Sequence, residues 1–114
     1  MTNARSECPV ANVLDIVGDR WTLLIIRDIA VFKKTSFSEM AASAEGIPPS
    51  TLTARLQMLV HEAFITKSEL VGVPGRQYRY ELSRKGQSLL PILEAMMHWD
   101  DRSGTEPGNL RVKP

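Results

Sequence analysis

The chain has 114 residues, 43% of them hydrophobic and 24% charged, with a net charge of +1. That composition fits one folded domain with its own core and excludes disordered and fibrous classes. The longest apolar run, Trp21 to Phe32, is broken by Arg27 and Asp28 and falls short of the roughly 20 residues of a bilayer span; "MTNARSECPV" lacks a secretory h-region and one cysteine cannot close an internal disulfide, so a cytoplasmic protein without membrane contact is expected.

In chain order, Pro9 stands where a first helical residue belongs. Val10, Val13, Leu14 and Val17 follow at helical spacing, and Gly18 ends a short first helix. Asp19 caps a second helix, "RWTLLIIRDIAVF", in which Trp21, Leu24, Ile25, Asp28, Ile29 and Phe32 share a face while Leu23 and Ile26 make much of the rest apolar. This helix is predicted central and nearly buried, with Lys33 and Lys34 placed at its carboxyl end by the macrodipole. "SFSE" reads as a capping box between Ser36 and Glu39, opening a third helix from Phe37 to about Ala44. Gly46 closes it and Ile47, preceding Pro48, lies in a tight connection. Pro49 at N1 then starts a fourth helix running to Glu62.

After Ala63 the period shortens to about 2, predicting a hairpin of about Ile65 to Val71 and Gln77 to Leu82. Between them "GVPG" and Arg76 form a short protruding loop. Ser83 caps a long last helix, "RKGQSLLPILEAMMHWDDRS", with Leu89, Ile92, Leu93, Met96 and Trp99 on one stripe and a kink expected at Pro91. Residues 104–114 have no periodicity and are assigned to a mobile tail, leaving 8–103 as the domain.

A short helix, a tight turn, a second helix and a basic hairpin predict a mainly α fold with a small β-hairpin, the winged helix-turn-helix, whose second helix enters the DNA major groove. Residues 48–86 hold six Lys/Arg against three Asp/Glu, a weak pointer to an anionic partner. On a wheel of roughly 100° per residue with Leu52 at zero, Leu56, Leu59 and Ala63 fall within about 40° and Val60 within about 80°, forming the core face. The opposite face receives Ser50, Ala54, Gln57, Met58 and His61, with Thr51 and Thr53 on its flanks. Solvated helix faces usually carry Lys and Glu, whereas this one is short and neutral. Gln suits a bidentate pair with adenine, Ser and Thr suit either base type, and Ala or a Thr methyl meets the thymine methyl. Ser50, Thr51, Thr53, Ala54 and Gln57 are therefore the base-reading candidates, and a face packed on another subunit is the alternative.

Ser36, Arg55, Lys67, Arg76 and Arg79 are the candidates for backbone contacts around that helix. Arg55 equally fixes the turn through Glu62 or Glu39, and for Arg79 the competing role is a surface ion pair with Glu69 or Glu81. Lys33, Lys34, Arg84 and Lys85 lie near helix ends, where dipole or solvent roles are the default. The last-helix stripe exceeds what one small domain needs to cover, so an exposed patch there would mark an interface; packing onto the domain's own core is the alternative. Cys8, just ahead of Pro9, sits where the first helix's dipole favours a thiolate, with Arg5 or Arg20 adding to the effect. A small buried residue without chemistry is the competing reading.

The segments "CPV", "DIVGDRWTLLIIRDI", "FSEM", "STLTARLQML" and "YRYELSRKGQSLLPIL", in that order, closely resemble the HxlR-type family of bacterial winged-helix transcriptional regulators, relatives of the MarR group. The resemblance covers about Cys8 to Trp99. The Cys-Pro pair, the Gly-x-x-Trp before an aliphatic run and the Tyr-x-Leu-Ser-x-x-Gly entrance to the last helix are specific in combination. It implies a homodimer and operator binding as repressor or activator. Dimerisation would run through the first helix (Val10, Val13, Leu14) and the last (Leu89, Ile92, Leu93, Met96, Trp99). It places the recognition helix at Pro49 to Glu62 and the wing at about Val71 to Gln77, and at Cys8 it implies a sensor of electrophiles or oxidants, as in some members. Two departures stand out: Pro48 replaces a Ser-like cap, and the short wing carries one Arg. A two-fold dimer sets its recognition helices about 34 Å apart and predicts a near-palindromic double-stranded operator.

An enzyme is not expected. His61 and His98 have no partner at metal spacing, no Gly-rich phosphate loop or serine nucleophile motif is present, and Asp100 and Asp101 suit a solvated helix end, so neither a metal nor another cofactor is implied. The rival is a winged-helix module used only for protein contacts. Any small-molecule effector is left open.

Overall fold

The computed structural model describes residues 7–105, with side chains as far as residue 101. Helices α1 (Pro9–Val17), α2 (Thr22–Ala30), α3 (Phe37–Ala41) and α4 (Pro49–His61) precede antiparallel strands β1 (Ile65–Glu69) and β2 (Tyr78–Leu82), followed by α5 (Arg84–Gln87) and α6 (Leu90–Thr105). Arg5 and residues 106–114 lie outside the described residues, and α6 reaches two residues into the segment assigned to the tail.

Helix α2 is the axis of the core. Asp19 caps it as expected, accepting the Trp21 and Thr22 amides at 2.9 and 3.0 Å and the Thr22 hydroxyl. Ile25, Ile26 and Ile29 are buried against Met40 of α3, Leu52, Leu56 and Leu59 of α4, and Phe64, Ile65 and Tyr80 around the hairpin. Phe32 departs from the predicted face and is 54% exposed, because the helix ends at Ala30 and the chain turns away through Lys33 at φ 57°. Its ring lies 5.0 Å from the Arg27 guanidinium and 5.6 Å from the Lys34 ammonium.

Asp28 is 4% exposed, and an ion so buried is tolerable only when paired and hydrogen-bonded. Its Oδ1 accepts from Arg27 at 3.1 and 2.6 Å and its Oδ2 from the Ser43 hydroxyl at 2.6 Å. Lys34 donates to Ser43 Oγ at 3.1 Å, and Arg27 makes a two-pronged pair with Glu45, both contacts at 2.9 Å. The network ties the end of α2 to the connection between α3 and α4. Lys34 thus has a side-chain partner beyond the dipole role expected of it.

The strands pair Ile65 with Leu82, Lys67 with Tyr80 and Glu69 with Tyr78. The Tyr80 amide donates to the Thr35 carbonyl at 2.8 Å, so the segment ahead of α3 lies against the outer side of β2.

Two expectations about the last helix are corrected. The single kinked helix is two helices, broken around Ser88 and Leu89, since Pro91 has no amide for a bond to Gln87 and its ring crowds that carbonyl. Leu89 and Leu93, assigned to a dimer face, are each 8% exposed in the protomer's own core, where the start of α6 packs on α2, and Ile92 is half-buried against the same core. Beyond Leu93 the helix has left the core, and Met96, Met97 and Trp99 are exposed. Val10, Val13 and Leu14 of α1 are exposed as well.

The Arg27 guanidinium holds the Glu45 carboxyl at about 2, below its ordinary 4.5. A carboxyl depressed on folding contributes stability that is present above its unfolded value and lost as pH falls through the folded one. Thermal melts should therefore show stability falling from about pH 4.5 towards about 2. Glu45→Gln should flatten that slope, with Asp19 and Glu39, whose carboxyls are also held low, retaining part of it. In denaturant titrations Asp28→Ala should cost about 1–3 kcal/mol by removing the acceptor of the buried Ser43 hydroxyl.

Candidate nucleic-acid interface

Helices α3 and α4 form the helix-turn-helix. The Ser36 hydroxyl accepts the Glu39 amide at 3.2 Å and the Glu39 carboxylate accepts the Ser36 amide at 3.2 Å, completing the capping box read from "SFSE". The Thr35 amide and the Ser36 hydroxyl and amide, all donating to that carboxylate, hold Glu39 below its ordinary value. Helix α3 stops at Ala41, earlier than expected, because the chain must bend for Ser43 to reach Asp28. Gly46 takes φ 71°, a conformation costly for any residue with a Cβ, and this turns Ile47 into the core.

Pro48 is the residue ahead of α4, at φ −62° and ψ 140°; its carbonyl accepts the Leu52 amide at 2.9 Å, but no side chain caps the helix. The departure from a serine cap is therefore real in structure: the first turn of α4 is set by proline geometry alone. The other end is held from outside. Ala63 adopts φ 64°, the Ser83 hydroxyl donates to the Ala63 and Phe64 carbonyls at 2.5 and 3.0 Å, and Lys85 donates to the Glu62 carbonyl at 2.8 Å. Lys85 thus serves the end of a neighbouring helix rather than its own.

Between these ends, Leu52, Leu56 and Leu59 face the core while Ser50, Thr53, Ala54, Gln57 and His61 are exposed. Thr51 is half-buried on the flank, and Met58, placed by the wheel on the outer side, is half-buried against the core. The outer face of α4 is short and neutral, with the Arg55 side chain part-exposed on its flank and His61 Nε2 4.0 Å from Glu62.

The wing candidates separate. Lys67 is exposed on β1, its ammonium 4.1 Å over the Tyr78 ring, and the two residues line an open groove with Thr53, Gln57 and His61 of α4. Tyr78 was missed in the sequence; its signal was the two-residue spacing from Tyr80 in "YRY", which puts both rings on the face towards α4. Arg76 is exposed in the loop, which is shaped by Gln77 donating to the Pro74 carbonyl at 2.9 Å. Arg79 is not brought to this groove. It lies on the other face of the hairpin with Nε 3.4 Å from Glu81, the surface pair named as its competing role. Arg55 pairs with neither Glu62 nor Glu39 but with Asp19, at 3.2 Å, across the corner between α1 and α2.

Cys8 is exposed at the residue preceding α1, so it is not a buried packing residue. Among the described residues, no group of three or more His, Cys, Asp or Glu is arranged to hold a metal ion, and no helix is long and apolar enough to cross a membrane.

Residues 16–107 match the profile of the HxlR-like helix-turn-helix family. An uncharacterized HTH-type transcriptional regulator of Mycobacterium tuberculosis, Rv3095, is 35% identical over 104 residues, covering 91% of this chain but 64% of its own length. The fold superposes on PA1607, described as a candidate transcription factor, at a TM-score of 0.73 with 32% identity, covering 96% of this chain and 75% of that one. It also superposes on the oxidised form of the redox regulator HypR at 0.73 with 26% identity, covering 83% and 96%.

The seat of α4 is open to test. A Cβ at Gly86 would fall 2.0 Å from the Phe64 carbonyl oxygen, a backbone atom that cannot swing away. Gly86→Ala should cost about 1–3 kcal/mol in denaturant unfolding. Ser83→Ala, which removes the α5 cap and the bonds to the end of α4, should cost about 1–2 kcal/mol.

Proposed function

Since the chain belongs to the HxlR-like helix-turn-helix family, we propose that it is a transcriptional regulator that binds a near-palindromic DNA operator as a homodimer and responds to oxidants or electrophiles through Cys8. The observation that carries the DNA reading is the outer face of α4, where Ser50, Thr53, Ala54 and Gln57 stand exposed, short and neutral beside a groove edged by Lys67. Side chains of that size let a helix approach base edges, and their hydrogen-bonding groups suit direct readout. Thr51 adds to this set from the flank. Lys67 and Arg76 supply the phosphate contacts that position the helix without reading sequence. Ser36, at the start of α3, adds a hydroxyl near the backbone.

Exposed apolar side chains on both terminal helices, Val10 and Leu14 of α1 and Met96 and Trp99 of α6, support the homodimer, since a protomer left alone would hold them in water. An isologous two-fold pairing sets the two α4 helices about one DNA turn apart, which is why the operator is near-palindromic. The exposure of Cys8 at the start of α1, together with the similarity to a protein described as a redox regulator, supports the sensing role. In this reading the chain is a binding protein with no catalytic step and no cofactor.

Electrophoretic mobility shifts on the gene's own promoter region should show specific binding that weakens steeply with salt. An absence of binding even at low salt would favour a protein-contact module instead. Gln57→Ala should relax preference at one base pair by about 1–3 kcal/mol, while Arg76→Ala should weaken all sequences alike and lower the salt slope by about 1. Cys8→Ser should bind the operator as the parent does yet no longer respond to quinone, aldehyde or peroxide; an unchanged response would remove the sensor.

A further inference from the structure

Asp19 and Arg55 join two parts of the molecule with separate tasks, the corner between α1 and α2 and the flank of α4. The pair is unusual in how it is made. Asp19 Oδ2, which faces Arg55 Nε at 3.2 Å, already accepts the Trp21 and Thr22 amides, and Oδ1 accepts the Thr22 hydroxyl. Arg55 Nε is itself buried and has no aligned hydrogen-bond acceptor among the described residues. The contact is therefore a charge placed against a charge, held by the cap geometry of α2. Burial opposes ionisation of Asp19, but the Thr22 hydroxyl, the two amides and Arg55 outweigh it and keep the carboxyl below its ordinary value. One anion thus serves the amino end of the core helix and the side of α4 together.

The other anchors of α4 along its length are apolar, Leu52, Leu56 and Leu59 buried with Met58 and Val60 packed beside them, whereas Arg55 meets a single charged atom at a defined position. Arg55 sits about 60° from that core direction, on the flank between the buried and the outer face. A readout helix has to be held within about 10–20° of its working geometry. We infer that Asp19 is a positioning residue for α4: through Arg55 it sets the rotation of the outer face and links that setting to the end of α1. The inference rests on the DNA-binding reading only for its effect on operator affinity.

Asp19→Ser keeps a helix-capping oxygen and removes the charge, and Arg55→Gln removes the other partner while leaving the cap intact. Each should weaken operator binding about three- to tenfold, and the double variant should bind no worse than the weaker single, as coupled residues do. The salt slope should be unchanged in all three. Additive losses, or parental or tighter binding by Asp19→Ser, would overturn the inference; so would a slope lowered by about 1 in Arg55→Gln, which would make Arg55 a phosphate contact. Amide hydrogen exchange reads the same link without DNA. Arg55→Gln should speed exchange in α4 while leaving α2 unchanged, and unaltered α4 exchange would overturn the role even if the parent protein bound no DNA at all, a result that would by itself refute only the DNA reading.

Discussion

A buried carboxylate at the edge of an apolar core constrains what surrounds it. Asp28 lies near Ile25, Met40 and Ile47, and it is met by Arg27 from its own helix and by the Ser43 hydroxyl from the turn between α3 and α4. Because the cost of an unpaired buried ion is several kcal/mol, Ser43 cannot drift, and with it the chain that leads into α4 is pinned to α2. Lys34 and Glu45 close the ring from either side. Apolar packing holds the two helices of the motif together, and the Ser43 bond to Asp28 fixes the turn between them against α2.

Local rules were legible in the sequence. The capping box at Ser36, the proline start of α4, the hairpin and the outward set of Ser50, Thr53, Ala54 and Gln57 follow from spacings of a few residues, and the structure has them where those spacings put them. Partners distant in the chain were not legible. Nothing near Asp28 names Ser43 or Glu45, and the carboxylates offered to Arg55 were those of its own motif, Glu62 and Glu39, whereas its partner lies in another corner of the fold. The last-helix stripe misled for a related reason. A periodic run shows that one side is apolar but not how far the rest of the domain extends to cover it, so Leu89 and Leu93 belong to the core and Met96 and Trp99 do not. Pro91 was read correctly as a disturbance, but its strength, a break rather than a bend, was not legible.

The two ends of α4 are restrained by different means. At its start, Pro48 and Pro49 restrict the backbone and no side chain caps the first turn. At its end, Ser83 and Lys85 reach from α5 to the last carbonyls, and the absence of a side chain at Gly86 lets α5 approach Phe64. Stiffness built into the chain and bonds supplied by a neighbour thus fix one helix between them, with the Asp19 contact on its flank.

The break ahead of Pro91 separates these duties. Helix α5 is committed to the seat of α4 and can change little, whereas Met96, Met97 and Trp99 of α6 lie exposed outside the core. In the proposed homodimer, two copies arising by gene duplication could diverge along that exposed outer stretch of α6 and cease to recognise each other while the buried core and the α4 surface stay the same.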